Sequence, residues 1–153
     1  MGFDQISLKG RALRLLSGRE HSRAELQRKL AAHETEPGEL NKALDELEAR
    51  GFISEQRVIE SVVNRRSSRL GAARVRQELQ AKGLDPQAVA EAVAGLQGSE
   101  EARAMEVWRK KFGQPPRDGA EHGKQMRFLL GRGFGAEVVR RVVRGVATQD
   151  DDA

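Results

Sequence analysis

Residues able to do chemistry are few and scattered. His21, His33 and His122 sit in separate polar stretches, without the spacing that a metal site needs. The chain has no cysteine, which excludes disulfides and thiolate ligation. The stretch Gly119-Ala120-Glu121-His122-Gly123-Lys124-Gln125 has the outline of a phosphate loop. It lacks one residue between its glycines, has no Ser or Thr after the lysine, and follows no strand pattern. Each carboxylate pair falls on the exposed side of a helical pattern, where ion pairing with Arg or Lys accounts for it. No catalytic constellation can be assembled, so the sequence reads as a binding module that needs no cofactor or metal, not as an enzyme.

What the chain does concentrate is positive charge. Residues 57–82 hold seven cations, Arg57, Arg65, Arg66, Arg69, Arg74, Arg76 and Lys82, against the two carboxylates Glu60 and Glu78. Lys124, Arg127, Arg140, Arg141 and Arg144 continue the excess toward the C-terminus, while Glu34, Glu36, Glu39, Asp45, Glu46 and Glu48 make an acidic shoulder near the N-terminus. A basic middle and end suit a polyanion, or a filament coated in one. Arginine outnumbers lysine there, which suits bidentate contact with phosphate or carboxylate. The candidate binding strip is Arg65, Arg66, Arg69, Arg74, Arg76 and Lys82, extended by Lys124, Arg127, Arg140, Arg141 and Arg144. Any one of these arginines alone is equally explained as solvated surface, and those at a helix end as complements to its dipole.

The elements that carry these cations follow one pattern. Ala72, Val75 and Leu79 recur on one helical face, and Lys82-Gly83 ends that helix with a cation and a residue free to take positive φ. Leu84 plugs the corner, Asp85 can cap the next helix, and Pro86 stands where a missing N–H costs nothing. Fifty residues later the pattern returns: Leu129 matches Leu79, Gly133 matches Gly83, Phe134 matches Leu84, and Val139 and Val143 match Val89 and Val93. A looser copy lies upstream around Leu26, Leu30, Pro37-Gly38, Leu40, Leu44 and Leu47, where Ser22 and Glu25 have capping-box spacing. The sequence therefore predicts an all-α fold of three tandem three-helix, helix-turn-helix-like repeats in an elongated, curved array. The expected units are 7–53, 54–97 and 98–147, with a hinge at Gly98 and a cap just after it. Phe52 and Ile53 should return into the first core. Trp108 and Phe112 read as core packing, not as a base-stacking platform. Residues 1–6 should fray, and 148–153 should form a disordered acidic tail.

Bulk composition agrees with small separate cores. Of 153 residues, 38% are hydrophobic and only 4% aromatic, which favours a thin core per unit over one deep core or ligand pocket. No apolar run is long enough to span a bilayer and no export signal opens the chain. The expectation is a soluble cytoplasmic protein and a monomer, since no dimerisation heptads occur.

Three blocks of residues resemble the RecX family, bacterial regulators of the recombinase RecA. The first is Ala12-Leu13, Leu15-Leu16-Ser17, Arg19-Glu20-His21-Ser22, Glu25-Leu26 and Lys29-Leu30. The second is Gly51-Phe52-Ile53, Arg65-Arg66, Gly71, the run Arg74 to Leu79, and Lys82-Gly83-Leu84. The third is Lys110-Lys111-Phe112-Gly113, Arg127-Phe128-Leu129-Leu130 and Arg132-Gly133-Phe134. The resemblance implies three tandem three-helix repeats and a protein that binds in the groove of the RecA–DNA filament, inhibiting recombinase, ATPase and coprotease activities. It also implies non-specific binding to single- or double-stranded DNA. The sequence departs from the family at Ser54-Glu55-Gln56-Arg57-Val58-Ile59, where an acidic pair and an aromatic-alanine step are usual. Packing between the first and second units should be thinner there. The alternative reading is a stand-alone helix-turn-helix DNA-binding protein or transcriptional regulator, which would bind duplex sequence-selectively and usually as a dimer.

Overall fold

Three apolar clusters organise the chain, each closed by three helices in a row. The computed structural model describes residues 6–151, with side chains from 6 to 146. The first cluster is built by α1 (Leu8–Gly18), α2 (Arg23–Leu30) and α3 (Glu39–Ala49), the second by α4 (Glu55–Arg66), α5 (Ala72–Ala81) and α6 (Pro86–Ala94). The third is built by α7 (Glu100–Lys111), α8 (Gly119–Gly131) and α9 (Ala136–Asp151). Short 3₁₀ turns at Ala31–His33 and Gln97–Ser99 follow α2 and α6.

The helical periodicity names the cores. Ala72, Val75 and Leu79 of α5 bury against Val58, Ile59 and Val62 of α4 and against Val89 and Val93 of α6, with Leu84 as the corner plug. Fifty residues on, Leu129, Phe134, Val139 and Val143 occupy the matching places beside Trp108. Each fully buried Leu or Val contributes about 1.5–3 kcal/mol, so a handful per unit holds each small core. The caps expected from the sequence form as well. Ser22 and Glu25 make a reciprocal capping box on α2, and the Asp85 side chain accepts from the Ala88 amide at 3.1 Å with Pro86 opening α6. Trp108 is core, its Nε1 donating to the buried Gln125 at 2.8 Å.

Three local expectations need correction. Phe52 does not return to the core with Ile53; it is 45% exposed, because Gly51 turns the chain at φ +81 and only Ile53 swings inward. Leu130 is likewise exposed beside buried Leu129. Ser99 places no side-chain cap on α7, since its hydroxyl donates back to the Leu96 carbonyl. The backbone of α9 runs on to Asp151, four residues into the stretch expected as a disordered tail. Asp152 and Ala153 lie outside the described residues, as do residues 1–5 of the segment expected to fray; Ser7 caps α1 through the Gly10 amide.

The units meet through their middle helices. The middle helices of the second and third units each end in a glycine corner that docks on the first turn of the preceding unit's middle helix. In one joint, the Ser22 hydroxyl at the start of α2 donates to the Lys82 carbonyl at the end of α5 at 2.5 Å, and Arg28 donates to the Ala81 carbonyl at 3.1 Å. In the other, the Gly71 and Ala73 amides at the start of α5 donate to the Arg132 and Gly133 carbonyls after α8, at 2.8 and 3.3 Å. Ser22 and Ala72, and Lys82 and Arg132, stand fifty residues apart, so the joint repeats with the units. Close approach is needed at the second joint: a Cβ on Gly71 would lie 2.3 Å from the Gly133 carbonyl oxygen. The accessible area is 9694 Å² for 16.9 kDa, against about 7,700 Å² for a compact chain of that mass, as an extended row of small units requires.

Candidate functional site

The second joint leaves a cleft of about 600 Å³ between the second and third units, lined by Ser68, Arg69, Val107, Lys110, Lys111, Phe128 and Arg132. Four of these seven are cations and none is acidic. They sit where helices end. Ser68 and Arg69 follow α4, Lys110 and Lys111 close α7, and Arg132 caps α8. Cations gather there because each helix C-terminus carries roughly half a negative charge. Three such ends offset roughly 1.5 of the four positive charges, so the cleft keeps a clear positive excess.

Phe128 holds two of the cations in place. The Lys111 ammonium lies 5.2 Å and the Arg132 guanidinium 5.0 Å from its ring centroid, within cation–π range. Phe112 packs edge-on against the same ring, with centroids 5.4 Å apart. The wall behind the cleft is fixed by Arg103, whose guanidinium donates to the Ser67 and Leu70 carbonyls at 2.7 Å each and to the Leu96 carbonyl at 3.1 Å. Burial lowers the Arg103 pKa, opposed by nearby Glu100. Arg132 serves twice: its carbonyl accepts from Gly71 while its side chain lines the cleft. Charged, water-accessible and without a convergent nucleophile or base, the cleft is suited to holding an anion.

The eleven cations singled out from the sequence divide. Lys82 is spent on the first joint, where the ammonium of its largely covered side chain meets buried Glu25 at 3.4 Å. Arg66 pairs with Glu78 at 3.2 Å. Arg74 reaches the Gly131 carbonyl at 2.7 Å and so braces the second joint. Arg140 pairs with Glu137, and Arg141 with Glu101 and Glu137; Arg144 is exposed on the same helix. Arg65, Arg69, Arg76, Lys124 and Arg127 pair with no carboxylate among the described residues, and of the eleven only Arg69 lines the cleft. Lys110, Lys111 and Arg132 entered the sequence reading only within the third block of the family resemblance, and nothing in the linear spacing joins them to Arg69, which precedes the lysines by about forty residues and Arg132 by about sixty.

The other residues with chemical potential have structural work. His21 is buried, with Nδ1 3.0 Å from the Arg19 carbonyl and Nε2 3.0 Å from the Lys29 ammonium. Burial lowers its pKa, and neighbouring Arg19 and Lys29 add to this against the hydrogen bond to the Arg19 carbonyl. Burial would raise the Glu25 pKa, but the Arg19 guanidinium at 2.7 Å, the Ser22 amide and Lys82 outweigh it and hold the carboxyl at about 2. No helix among the described residues is long and apolar enough to cross a membrane.

Three-helix units docked through a repeated joint define a tandem helical-repeat protein. Family models described as the first, second and third three-helix domains of RecX match residues 9–47, 54–93 and 99–143 in that order. The chain belongs to the RecX family of regulatory proteins. It is 54% identical over 140 residues to regulatory protein RecX of Leptothrix cholodnii, covering 92% of this chain and 89% of that one. It is 51% identical over 147 residues to the Ralstonia nicotianae protein of the same name, covering 96% and 92%. The crystal structure of RecX from Lactobacillus salivarius shares the fold, with a TM-score of 0.76 at 19% identity over 92% of this chain and 95% of that one.

Proposed function

We propose that this protein is a negative regulator of RecA that acts as a cytoplasmic monomer, binds the RecA–DNA filament in its groove, and inhibits the recombinase, ATPase and coprotease activities. Units 7–53, 54–97 and 98–147 would lie along the filament as a row. The observation that carries the reading is a family of regulatory proteins realised as an extended array whose cations in the second and third units outnumber their carboxylate partners. A long molecule with a diffuse positive surface suits an elongated polyanionic target, and of the eleven cations singled out from the sequence, Arg65, Arg69, Arg76, Lys124 and Arg127 pair with no carboxylate among the described residues.

The test is DNA-dependent ATP hydrolysis by RecA, with this protein titrated well below the RecA concentration. Inhibition at substoichiometric ratios is expected. No inhibition, together with tight sequence-selective duplex binding, would replace the reading with that of a stand-alone helix-turn-helix DNA-binding protein.

A further inference from the structure

We propose that His21 is a proton-sensitive latch on the first joint: the joint closes on a neutral imidazole, and a second proton on that ring frees the first unit from the second. The inference does not depend on the filament reading. His21 lies in the turn between α1 and α2 and is 2% exposed. It directly precedes Ser22, whose hydroxyl makes the cross-joint bond to the Lys82 carbonyl. Both ring nitrogens are occupied, and their partners fix the tautomer. The Arg19 carbonyl can only accept, so Nδ1 carries the hydrogen; the Lys29 ammonium can only donate, so Nε2 offers its lone pair. A second ring proton has no place while Lys29 stays. Protonation must expel that ammonium and leave a new cation in a buried site.

The charges around the ring connect that event to the joint. Arg19, in the same turn, and Lys29, on α2, oppose a further positive charge, while Glu25, also on α2, attracts it. Across the joint, Lys82 from the end of α5 meets the Glu25 carboxylate at 3.4 Å, and Arg57 of α4 meets Glu20, the chain neighbour of His21, at 2.9 Å. Glu25 is already committed to Arg19, to the Ser22 amide and to Lys82. A charged His21 that draws this carboxylate toward itself takes it from Lys82 and undoes the capping box that aims Ser22 across the joint. A charged His21 that seeks water must leave its buried place, and the turn carrying Ser22 moves with it. Both routes weaken the first joint. Burial, with Arg19 and Lys29, holds the His21 pKa below the ordinary 6.5 against the Arg19 carbonyl and Glu25. The neutral ring therefore favours the closed joint above about pH 6.5, and that advantage is lost as pH falls below it. The second joint, built on the Gly71 and Ala73 amides, should not respond.

The experiment uses the full chain, which has no native cysteine, spin-labelled through Lys42→Cys on α3 and Gln87→Cys on α6, both exposed positions. Pulsed electron resonance gives the distance distribution between the labels from about pH 7.5 to about pH 5, a window above the titration of Glu25 at about 2. A label pair on α6 and α9 is the reference, and nitrogen-15 NMR of the imidazole reports its tautomer and its protonation. The expected result is Nδ1–H at neutral pH and a distribution between α3 and α6 that widens as the ring takes its second proton, with α6 to α9 unchanged. His21→Gln keeps a donor for the Arg19 carbonyl and an acceptor for Lys29, and should lose the widening altogether. Lys29→Gln keeps a donor and removes the charge, so the widening should move to higher pH; it leaves the buried ring in place and serves if His21→Gln fails to fold. His33 and His122 are exposed, and glutamine at both should leave the response intact. A ring that protonates with no widening would overturn the proposal. So would a ring that stays neutral through the whole window, or the same widening in His21→Gln.

Discussion

Glu100 belongs to the third unit, yet removing its side chain should unfold the start of a helix in the second. Gly71 gives α5 no side-chain cap, and the first three amides of its opening turn all donate across the joint. Gly71 reaches the Arg132 carbonyl, Ala73 the Gly133 carbonyl, and Ala72 the Glu100 carboxylate at 2.9 Å. The bond to Glu100 is buried on both sides, and the carboxylate is 8% exposed. A hydrogen bond to a charged group contributes about 1.5–3 kcal/mol, and a buried amide stripped of its acceptor costs a similar amount. Glu100→Ala also removes an acidic residue from the first turn of α7, worth about 0.3–1 kcal/mol. The expected destabilisation is about 2–4 kcal/mol, which for a chain of this size lowers the midpoint of thermal unfolding by roughly 4–16 °C. Glu100→Gln keeps an oxygen acceptor and should lose less than half as much. Circular dichroism melts give the total, and amide hydrogen exchange gives the location: Gly71, Ala72 and Ala73 should lose protection ahead of the α7 amides. An unchanged melt with Ala72 still protected would refute the idea that the third unit completes α5.

Gly71→Ala should be worse than any cap loss, because its Cβ would sit 2.3 Å from the Gly133 oxygen; small-angle scattering should show the units moving apart, with a larger radius of gyration. Glu25 supplies an acid-side dependence. Its carboxyl falls from an ordinary 4.5 to about 2 in the folded chain, so its stabilisation is present above about pH 4.5 and is lost as pH drops toward 2. The urea midpoint should fall over that window by the equivalent of about 2–3 kcal/mol, and Glu25→Gln should flatten the fall. Salt should separate the two joints: the first relies on Glu25–Lys82 and Glu20–Arg57 ion pairs, the second on backbone donors. Raising salt should therefore loosen the first unit, seen as a wider distance distribution between labels on α3 and α6, while labels on α6 and α9 stay fixed.

The repeat was legible because its marks are side chains. Gly83 and Gly133 take φ of +69 and +92, and Leu84 and Phe134 bury behind them, as their spacing required. Periodicity reports which face of a helix is apolar, and so it found all three cores. It could not find the joints, because these are made by carbonyls and amides that every residue carries. Gly98 illustrates the difference. Its smallness suggested a hinge, yet it lies in a 3₁₀ turn beside the Arg103 clamp that ties Leu96 to Leu70 and Ser67. The first joint, which leans on side-chain charge, is the one that salt should loosen. Lys82 looked like a ligand contact for the same reason: its partner Glu25 stands fifty-seven residues away, and no local pattern connects them. The cleft was hidden by being divided between units.

A joint that repeats by translation has no built-in reason to stop. Copies added head to tail at such a heterologous contact grow into an open helical polymer, and both ends of the described row depart from that contact. At the third unit, α8 begins at Gly119, three residues earlier than the fifty-residue register with α5 would place it. The amides of Glu121 and His122, which match Gly71 and Ala72, are already taken by the Asp118 side chain and carbonyl. At the first unit, the glycine corner is displaced: the chain passes through a 3₁₀ turn after α2, and positive φ falls at Gly38, five residues beyond the position matching Gly83. Neither end of the described row therefore repeats the contact that its two joints share, and a head-to-tail copy would meet a changed surface at both.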